Sequence, residues 1–358
     1  PPSIYTLLRY LEKRGAQQID YINTNSADLL KDENLEDVTS YVFAYFSKGT
    51  VSWQENISIL NFGDAMFDRD VWKIIERGNN PFEYIKGTEG NFLKGVDFIV
   101  LNLEGPITDK NNCPKKEISF KFNPQIARLL FENNINMVNL ANNHIFDCGQ
   151  VGIQDTRNYL NKFDIDYFGG FRLENSYSIR EINNKKVAFI GIDQTLEPIK
   201  LDLFYPLVKK LKKENDFVVV NIHWGYEYDI SPSKIQSEIA YSLIDSGADV
   251  IIGHHPHVIQ PLEIYKNRVI FYSLGNFIFD QNTKETNEGI GVGIILEDDK
   301  SIFYIFPYRI VNRQPALLSY SEMVIFCRKF LGEIDTKNNC SFVIKRDTLD
   351  NQDYLESE

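Results

Sequence analysis

The sequence predicts an α/β fold, a four-layer α/β/β/α sandwich of two mixed sheets preceded by a short N-terminal helical segment. From residue 56 onward, short runs rich in Val and Ile alternate with helical runs, which is typical of α/β proteins. The apolar runs are mostly continuous rather than alternating, as expected for strands that are covered on both faces. After residue 268 the runs are all strand-like, which indicates a second, antiparallel portion of sheet.

Residues 1–55 differ in pattern from the rest of the chain, and we expect them to form helices. Two runs, 4–15 and 35–46, have apolar residues at helical spacing, and Gly15 is a stop signal for the first run. This segment holds no histidine and no motif residue, so we expect it to supply no metal ligand. The residues on the two apolar faces are Ile4, Leu7, Leu8 and Leu11 in the first run and Val38, Val42, Phe43 and Phe46 in the second.

The main domain is expected to span residues 56–312, with a C-terminal helix and tail over 313–358. Helical runs begin at 123–124 and 231–232, because Asn and Ser cap helices and Pro is favoured in the first helical turn. The second of these helices should stop at Gly247. Six runs are expected to be buried strands: ISILNF (57–62), VDFIVLNL (96–103), INMVNLA (135–141), KVAFIGI (186–192), FVVVNI (217–222) and DVIIG (249–253).

The composition is that of an acidic globular protein. Of the 358 residues, 43% are hydrophobic and 25% are charged, which excludes the disordered and fibrous classes. The net charge is -12, and this argues against a nucleic-acid binder, whose affinity rests on basic groups that neutralise phosphates. The cysteines form no CxxC pair, so we expect free thiols in or near the core rather than a disulfide framework or a zinc site. They are Cys113, Cys148, Cys327 and Cys340.

The compartment is not fixed by these residues. No run approaches the roughly 18 to 20 apolar residues that span a bilayer, and no signal-peptide core opens the chain. The chain begins with Pro1 rather than Met, so removal of an upstream signal or anchor is an open alternative.

The five histidines point to a functional site. His254, His255 and His257 fall within four residues, and His144 and His223 each follow an apolar run. The carboxyl ends of strands form the ligand-binding edge of open α/β sheets, so residues that follow strands should meet at one edge. The polar residues at these strand ends are Asp64, Glu104, Asn142, Asn143, His144, His223, His254, His255 and His257.

These residue types predict a site for one or two divalent metal ions. Carboxylate, amide oxygen and imidazole without thiolate favour Mn²⁺, Fe or Zn²⁺ over a structural zinc knot. A carboxylate that can bridge, flanked by histidines, suits a two-metal hydrolytic site that clamps an oxyanion and lowers the pKa of bound water.

Six motifs occur in order along the chain: GDAMFDR (63–69), NLEGPIT (102–108), ANNHIFDCG (141–149), HWGYEY (223–228), GADVIIGHHPHVIQP (247–261) and YSLGNFIFD (272–280). Together they resemble the capsule-synthesis CapA family, which is associated with poly-γ-glutamate capsule production and has a calcineurin-like metallophosphoesterase fold. The resemblance covers roughly residues 56–312, and six ordered motifs make it specific. It implies a metallophosphoesterase-like sandwich over that part of the chain.

The resemblance also implies a set of metal ligands. Asp64 would bind the first metal with His257, and Glu104 stands where the wider superfamily has its bridging aspartate. The second metal would be held by Asn143, His223 and His255.

Two further roles follow from the same resemblance. His144 matches the superfamily's proton donor to the leaving group, and Arg69 would take an anionic substrate group with its fork of donors. The first motif departs from the superfamily's Asp-x-His, because Met66 stands where the histidine would be. We therefore expect the first metal to bind more weakly, or the site to hold a single ion. The CapA family shares this departure.

Several nearby residues keep two interpretations. His254 is expected to pack or to make a hydrogen bond behind the ligands, and Asn276 and Asp280 are expected to fix loops. Arg69 is an alternative surface partner of Asp68 or Asp70. Trp224, Glu227 and Tyr228 are open between the wall of the site and a substrate contact.

The predicted function is that of a metal-dependent hydrolase-like protein of capsule or poly-γ-glutamate biosynthesis, acting with a metal-activated water on a phosphoester or γ-glutamyl-type substrate. The alternative is a non-catalytic accessory protein that binds anionic capsule polymer or the capsule assembly machinery. A nuclease is a distant third, disfavoured by the charge of -12. Expected partners are an anionic small-molecule or polymer substrate and capsule-synthesis proteins, with no nucleic acid.

The family resemblance favours a membrane-anchored, extracytoplasmic location, with the cytoplasm as the alternative. Contact with a membrane would come only through a segment not present in these residues.

Overall fold

The computed structural model divides into two compact units, Pro1–Glu55 and Asn56–Glu358. The residues it describes are 16–25, 40–48 and 56–346, except 88–89, 111–112, 115, 171–172, 196–200, 333 and 335–339.

The first unit contains an antiparallel pair of strands, β1 (Ala16–Asn25) and β2 (Ser40–Lys48). The helix predicted over 35–46 is therefore wrong from Ser40 onward. The run SYVFAYF is dense in aromatic and β-branched residues, which favour a strand once a partner strand is available to pair with it. The helix predicted over 4–15 lies outside the described residues, as do residues 35–39.

In the described part of the second unit there are fifteen strands and six α-helices. The strands are β3 (Ile57–Ala65), β4 (Phe98–Leu103), β5 (Met137–Asn139), β6 (Asp166–Phe168), β7 (Tyr177–Ile182), β8 (Lys185–Asp193), β9 (Phe217–His223), β10 (Val250–His254), β11 (Leu262–Tyr265), β12 (Arg268–Phe271), β13 (Asn276–Ile278), β14 (Glu288–Leu296), β15 (Lys300–Val311), β16 (Gln314–Leu317) and β17 (Ser341–Lys345). The helices are α1 (Arg69–Glu76), α2 (Gln125–Glu132), α3 (Gly149–Asn161), α4 (Phe204–Glu214), α5 (Lys234–Asp245) and α6 (Tyr320–Leu331).

The strands form two mixed sheets. The first has the order β16-β15-β14-β3-β4-β5-β6, with β13 paired to β3 and β17 paired to β15. The second has the order β11-β12-β10-β9-β8-β7. In each sheet the central strands run parallel, β3 to β6 in the first sheet and β8, β9, β10 and β12 in the second. All six strands predicted from the continuous apolar runs are present.

Three apolar clusters account for the layers. One cluster lies between the sheets and joins residues such as Ile59 and Val100 of the first sheet to Val219 and Ile252 of the second. A second cluster packs α1, α2 and α3 on the outer face of the first sheet. A third packs α4 and α5 on the outer face of the second sheet. This is the four-layer α/β/β/α sandwich that the sequence predicts.

Two helix starts differ slightly from their prediction. Pro124 is the N-cap of α2 rather than its first residue, although Asn123 Oδ1 still accepts the Gln125 N–H at 2.9 Å. The start of α5 is capped by Ser233, two residues beyond the predicted Ser231, because Ser233 and Gln236 form a reciprocal capping box.

The segment after residue 312 contains more than the predicted helix and tail. α6 is present and begins with a capping box between Ser319 and Glu322. Both β16 and β17 also pair with β15, so this segment adds two strands to the first sheet. Within the described residues, no helix combines the length and apolarity that crossing a bilayer requires.

The cysteines are paired, so the prediction of free thiols is wrong. One disulfide joins Cys113 to Cys148, and the other joins Cys327 to Cys340. The members of the first pair are 35 residues apart, so only the folded chain brings them together. A search for CxxC spacing does not detect such a pair.

Candidate metal centre

The predicted ligands meet where the two sheets present the carboxyl ends of their parallel strands. Asp64 lies in β3 and Glu104 directly follows β4, while His223 ends β9 of the second sheet. These three residues are buried, and they carry ligand atoms within 4.8 Å of one another. Asp64 and His257 also adjoin, with Oδ2 of the aspartate 3.2 Å from Nδ1 of the imidazole.

Asp64 is held as a carboxylate by the groups around it. Its Oδ1 accepts the Asn102 Nδ2–H at 2.8 Å, and its Oδ2 accepts the His255 backbone N–H at 3.2 Å. Burial alone would raise its pKa, but hydrogen bonding and charge from His254 and His257 hold the pKa well below the usual value. A buried aspartate that stays ionised is a suitable metal ligand.

Glu104 tests whether a cation fits this centre. It is fully buried, and among the described residues neither carboxylate oxygen has a hydrogen-bond partner. Burial raises the pKa of Glu104 well above its usual value, with nearby acidic groups adding to the rise, although His257 opposes it from 3.6 Å. A buried carboxylate without partners is costly unless a cation or a proton neutralises it. The residues present therefore fit a divalent metal ion.

The second group of ligands surrounds His223. Its Nε2 lies 2.9 Å from Asn143 Oδ1, and its ring centroid lies 4.8 Å from that of His255. Burial lowers the pKa of His223 well below its usual value and that of His255 to about 4. Both imidazoles are therefore neutral near pH 7, and a neutral imidazole is the form that binds metal ions.

His257 differs from the other predicted ligands because it is charged when no metal is bound. Burial would lower its pKa, but the charge of Glu104 and the hydrogen bond and charge of Asp64 raise the pKa to about 9. Its Nδ1 lies 2.9 Å from Asn276 Oδ1. Without a metal, the imidazolium of His257 thus balances the charge of Glu104 and Asp64, which a bound cation would balance instead.

The loop that carries these histidines has an unusual backbone. His255 and His257 have φ angles of 94° and 58°, in the region that favours glycine. Such residues cost of the order of 1–3 kcal/mol each and occur mainly at functional sites. The hydrogen bond from the His255 N–H to Asp64 helps to hold the loop in place.

A cluster of asparagines behind the ligands was not predicted. Asn102 Oδ1 accepts hydrogen bonds from Asn139 and Asn142, both at 3.1 Å, while its Nδ2 donates to Asp64 and lies 3.3 Å from His223 Nδ1. Asn102 stands two residues before Glu104, and side chains two apart in a strand point to the same face. The role of Asn102 could therefore have been predicted from its position relative to Glu104. This network orients Asp64 and His223.

His144 lies beside the ligands and is held by a carboxylate. Its Nδ1 is 2.7 Å from Asp147 Oδ2, and Asp147 also accepts the Phe120 N–H and a Lys116 Nζ bond, both at 2.8 Å. Burial would raise the pKa of Asp147, but these hydrogen bonds lower it, so Asp147 is ionised and accepts the Nδ1 proton. Sequence reasoning missed Asp147, although it lies three residues after His144 within the same motif.

Arg69 lies at the rim beside His144. Its guanidinium pairs with Asp280 and stands 4.9 Å from the ring centroid of Phe120, which is 4.2 Å from the His144 ring. Asp68 and Asp70, the predicted alternative partners of Arg69, have other partners. Asp68 caps α1 through the Arg69 backbone N–H, and the Asp70 side chain pairs with Lys73 and Arg313.

Three other residues noted in the sequence lie around the predicted ligands or in the core beneath them. His254 lies behind the ligands, with Nε2 3.2 Å from Asn221 Oδ1 and Nδ1 3.4 Å from Asp64. Met66 is fully buried in the apolar core under α1, where its Sδ accepts the Asp68 N–H at 3.0 Å. Glu227 is exposed, and its carboxylate comes within 4.8 Å of ligand atoms of His255 and His257.

Comparison with known proteins identifies relatives of this chain. The profile of the family described as "Bacterial capsule synthesis protein PGA_cap" matches residues 58–281. The chain is 33% identical over 276 residues to the PGA biosynthesis protein CapA of Bacillus subtilis, covering 71% of this chain and 72% of that protein. It is 34% identical over 286 residues to the capsule biosynthesis protein CapA of Bacillus anthracis, covering 73% and 69%.

Among solved structures, a novel phosphatase from Mycoplasma pneumoniae is 13% identical, with a TM-score of 0.43 over 82% of this chain and 94% of that one. A similarity this low says nothing about activity. The family profile and the two relatives each span most of the domain that carries the metal centre. The chain belongs to the bacterial capsule synthesis protein (PGA_cap) family.

Proposed function

We propose that this protein is a metal-dependent hydrolase of capsule or poly-γ-glutamate biosynthesis that cleaves a phosphoester or a γ-glutamyl-type bond. The observation that carries the proposal is the Glu104 carboxylate, fully buried and without a hydrogen-bond partner in the described structure, beside Asp64, His223 and His257. A buried carboxylate without a hydrogen bond, at the point where the strand ends meet, supports a cation there.

The ligands proposed for the metal are Asp64, Glu104 and His257 in one group and Asn143, His223 and His255 in the other. The donors are oxygens and imidazole nitrogens, which suits Mn²⁺, Fe or Zn²⁺. A bound divalent ion would polarise an oxygen of the scissile group and lower the pKa of a water molecule.

The other steps belong to residues of the chain itself. The Nδ1 proton of His144 is held by Asp147, which leaves Nε2 as the nitrogen that exchanges a proton with the leaving group. Arg69 stands next to His144 across the ring of Phe120 and offers guanidinium donors to an anionic substrate group. The names of the two relatives refer to PGA biosynthesis and to capsule biosynthesis. We therefore propose an anionic metabolite or polymer end as the substrate. The proposed partners are capsule-synthesis proteins.

The experiment is a comparison of metal content and turnover. The purified protein is loaded with Mn²⁺ and assayed on phosphoester and γ-glutamyl substrates, together with His144→Asn and the control Glu238→Gln, which lies on the exposed face of α5. We expect turnover in the parent and the control, and turnover lower by about 10² to 10⁴ in His144→Asn with its metal retained. Absence of turnover in the loaded parent, together with a substrate complex that has no scissile bond near the centre, would exclude the hydrolase.

A second candidate is a non-catalytic accessory protein that binds anionic polymer or the assembly machinery. The burial of Met66 in the core favours it, because the first motif then contributes one ligand, Asp64, rather than two. A strain that carries His223→Ala protein and makes a normal capsule would support this candidate over catalysis.

A further inference from the structure

We propose that Glu227 is a ligand of the metal centre and forms a group with His255 and His257 that replaces the imidazole missing at Met66. The three side chains carry ligand atoms within 4.8 Å of one another. Neither the composition of the motif nor the family resemblance assigns a metal to this glutamate. The inference rests on the metal centre proposed above and adds a residue to it.

The backbone fixes Glu227 above the two histidines. The turn that carries it, 224–228, follows β9, and both of its ends are hydrogen-bonded to the histidine loop. The Trp224 N–H donates to His254 O at 3.1 Å, and the Tyr228 N–H donates to Pro256 O at 2.8 Å. Because the turn and the histidine loop are joined on both sides, Glu227 is held over the imidazoles by contacts that do not depend on its own side chain.

An independent observation at the same place is the state of His255. Its side chain is 8% exposed, and its Nδ1 is buried without a hydrogen-bond partner among the described residues. A buried ring nitrogen normally has a partner, since leaving it without one costs free energy. A cation bound at this centre would satisfy this nitrogen, and Glu227 lies within ligand distance of the same ring.

Ligand counting shows why a further carboxylate is useful. Without an imidazole at Met66, the first group consists of Asp64, Glu104 and His257, which is three protein ligands. Metal sites with oxygen and nitrogen donors commonly use four or more ligands. Glu227 is the exposed member of its group, and its carboxylate lies within 4.8 Å of ligand atoms of His255 and His257.

The test uses Co²⁺, because its ligand-field absorption reports on the atoms bound to it. Co²⁺ stoichiometry, affinity and absorption spectrum are measured for the parent, for Glu227→Gln and for Asp229→Asn. Asp229 is also an exposed acidic residue, two positions further along the same loop, so it controls for loss of charge. We expect Glu227→Gln to bind Co²⁺ at least about tenfold more weakly with a changed spectrum, and Asp229→Asn to match the parent.

Three results would overturn the proposal. They are unchanged affinity and spectrum in Glu227→Gln, weaker binding with an unchanged spectrum, and an equal loss in Asp229→Asn. Either of the last two would mean that only the charge of Glu227 matters. Anomalous scattering from the Co²⁺-loaded parent gives a direct check, since a ligand oxygen lies within about 2.5 Å of its ion. If the parent binds no divalent metal, the metal centre itself fails, and this outcome is distinct from a loaded centre that ignores Glu227.

Discussion

His144 donates its Nδ1 proton to Asp147 across 2.7 Å, and Asp147 directly precedes Cys148 of a disulfide. The other half of that disulfide, Cys113, anchors the loop that supplies Lys116 to the same carboxylate. The proposed proton donor is therefore hydrogen-bonded to a carboxylate that lies next to a covalent link in the chain. We expect any effect of the link on His144 to pass through Asp147, to which His144 is hydrogen-bonded.

Removing the Cys113–Cys148 link should lower turnover as well as stability. For the variant with both residues changed to Ala, the 35-residue separation predicts a loss of about 4 kcal/mol of unfolding free energy. Because the loop with Lys116 is then released from Asp147, we also expect turnover to fall while metal content stays constant. Denaturant unfolding, metal analysis and kinetics measure the three effects.

The second disulfide is the matched control for this prediction. Cys327 and Cys340 are 13 residues apart, and they lie in the apolar cluster between the sheets rather than at the His144 turn. Changing both to Ala should cost about 3 kcal/mol but leave turnover unchanged. Equal losses of turnover in the two variants would refute a specific role for the Cys113–Cys148 link.

Asn102→Ala should weaken both the fold and the metal centre. The change removes a donor to Asp64 and one of the two acceptors of the buried amides of Asn139 and Asn142. We expect a loss of about 1–3 kcal/mol of unfolding free energy and metal affinity lower by about 10- to 100-fold. The exposed Asn158→Ala on α3 should change stability by less than about 0.5 kcal/mol. Parent-like metal affinity in Asn102→Ala would show that Asp64 does not need this support.

The sequence was most informative where burial dominates. Continuous apolar runs predicted β3, β4, β5, β8, β9 and β10, because strands covered on both faces have no reason to alternate. The strand ends then predicted which polar residues would meet, and Asp64 and His257 do so at 3.2 Å. The prediction succeeds because the residues that directly follow parallel strands all lie at the carboxyl edge of the sheet, regardless of the conformation of the loops.

The features missed by sequence analysis depend on long-range contacts. Residues 40–46 fit a helical stripe and a strand equally well, and pairing with β1 decides between them. The disulfides need positions that only the folded chain defines. The roles of Asn102 and Asp147 are likewise set by neighbours far along the chain or by a partner loop, as with Lys116. No local sequence pattern indicates that Glu104 has no hydrogen-bond partner among the residues that the structure describes.

Four variants should distinguish the residues that bind the metal from the residue that donates a proton. His223→Ala and His255→Ala each remove an imidazole of the centre and should reduce metal content, as should Asn143→Ala, whose oxygen lies 2.9 Å from His223. His144→Asn should keep the metal, because His144 bonds to Asp147 instead. Metal stoichiometry measured beside turnover checks this. Loss of metal from His144→Asn to the extent seen in His223→Ala would make His144 a ligand.

Metal binding should strengthen as pH rises toward about 9, and the reason is His257. Its pKa in the metal-free protein is raised to about 9 by Glu104 and Asp64, despite burial. The metal-free protein therefore holds a proton that the metal must displace, so affinity should rise about tenfold per pH unit below that pKa for each proton released. His255, with a pKa lowered to about 4, has already lost its proton by pH 6 and adds nothing to this slope.

Two measurements test this dependence. Titration calorimetry in buffers of different ionisation enthalpy should show about one proton released per metal bound near pH 8. NMR titration of the metal-free protein should place the His257 imidazole near pH 9. Glu104→Gln should lower that value, because Glu104 is the largest of the charges that raise it, ahead of Asp64 and Glu227. Metal affinity that is flat between pH 6 and pH 9, or a His257 titration near its ordinary value in the parent protein, would contradict the proposed pairing of His257 with Glu104 and Asp64.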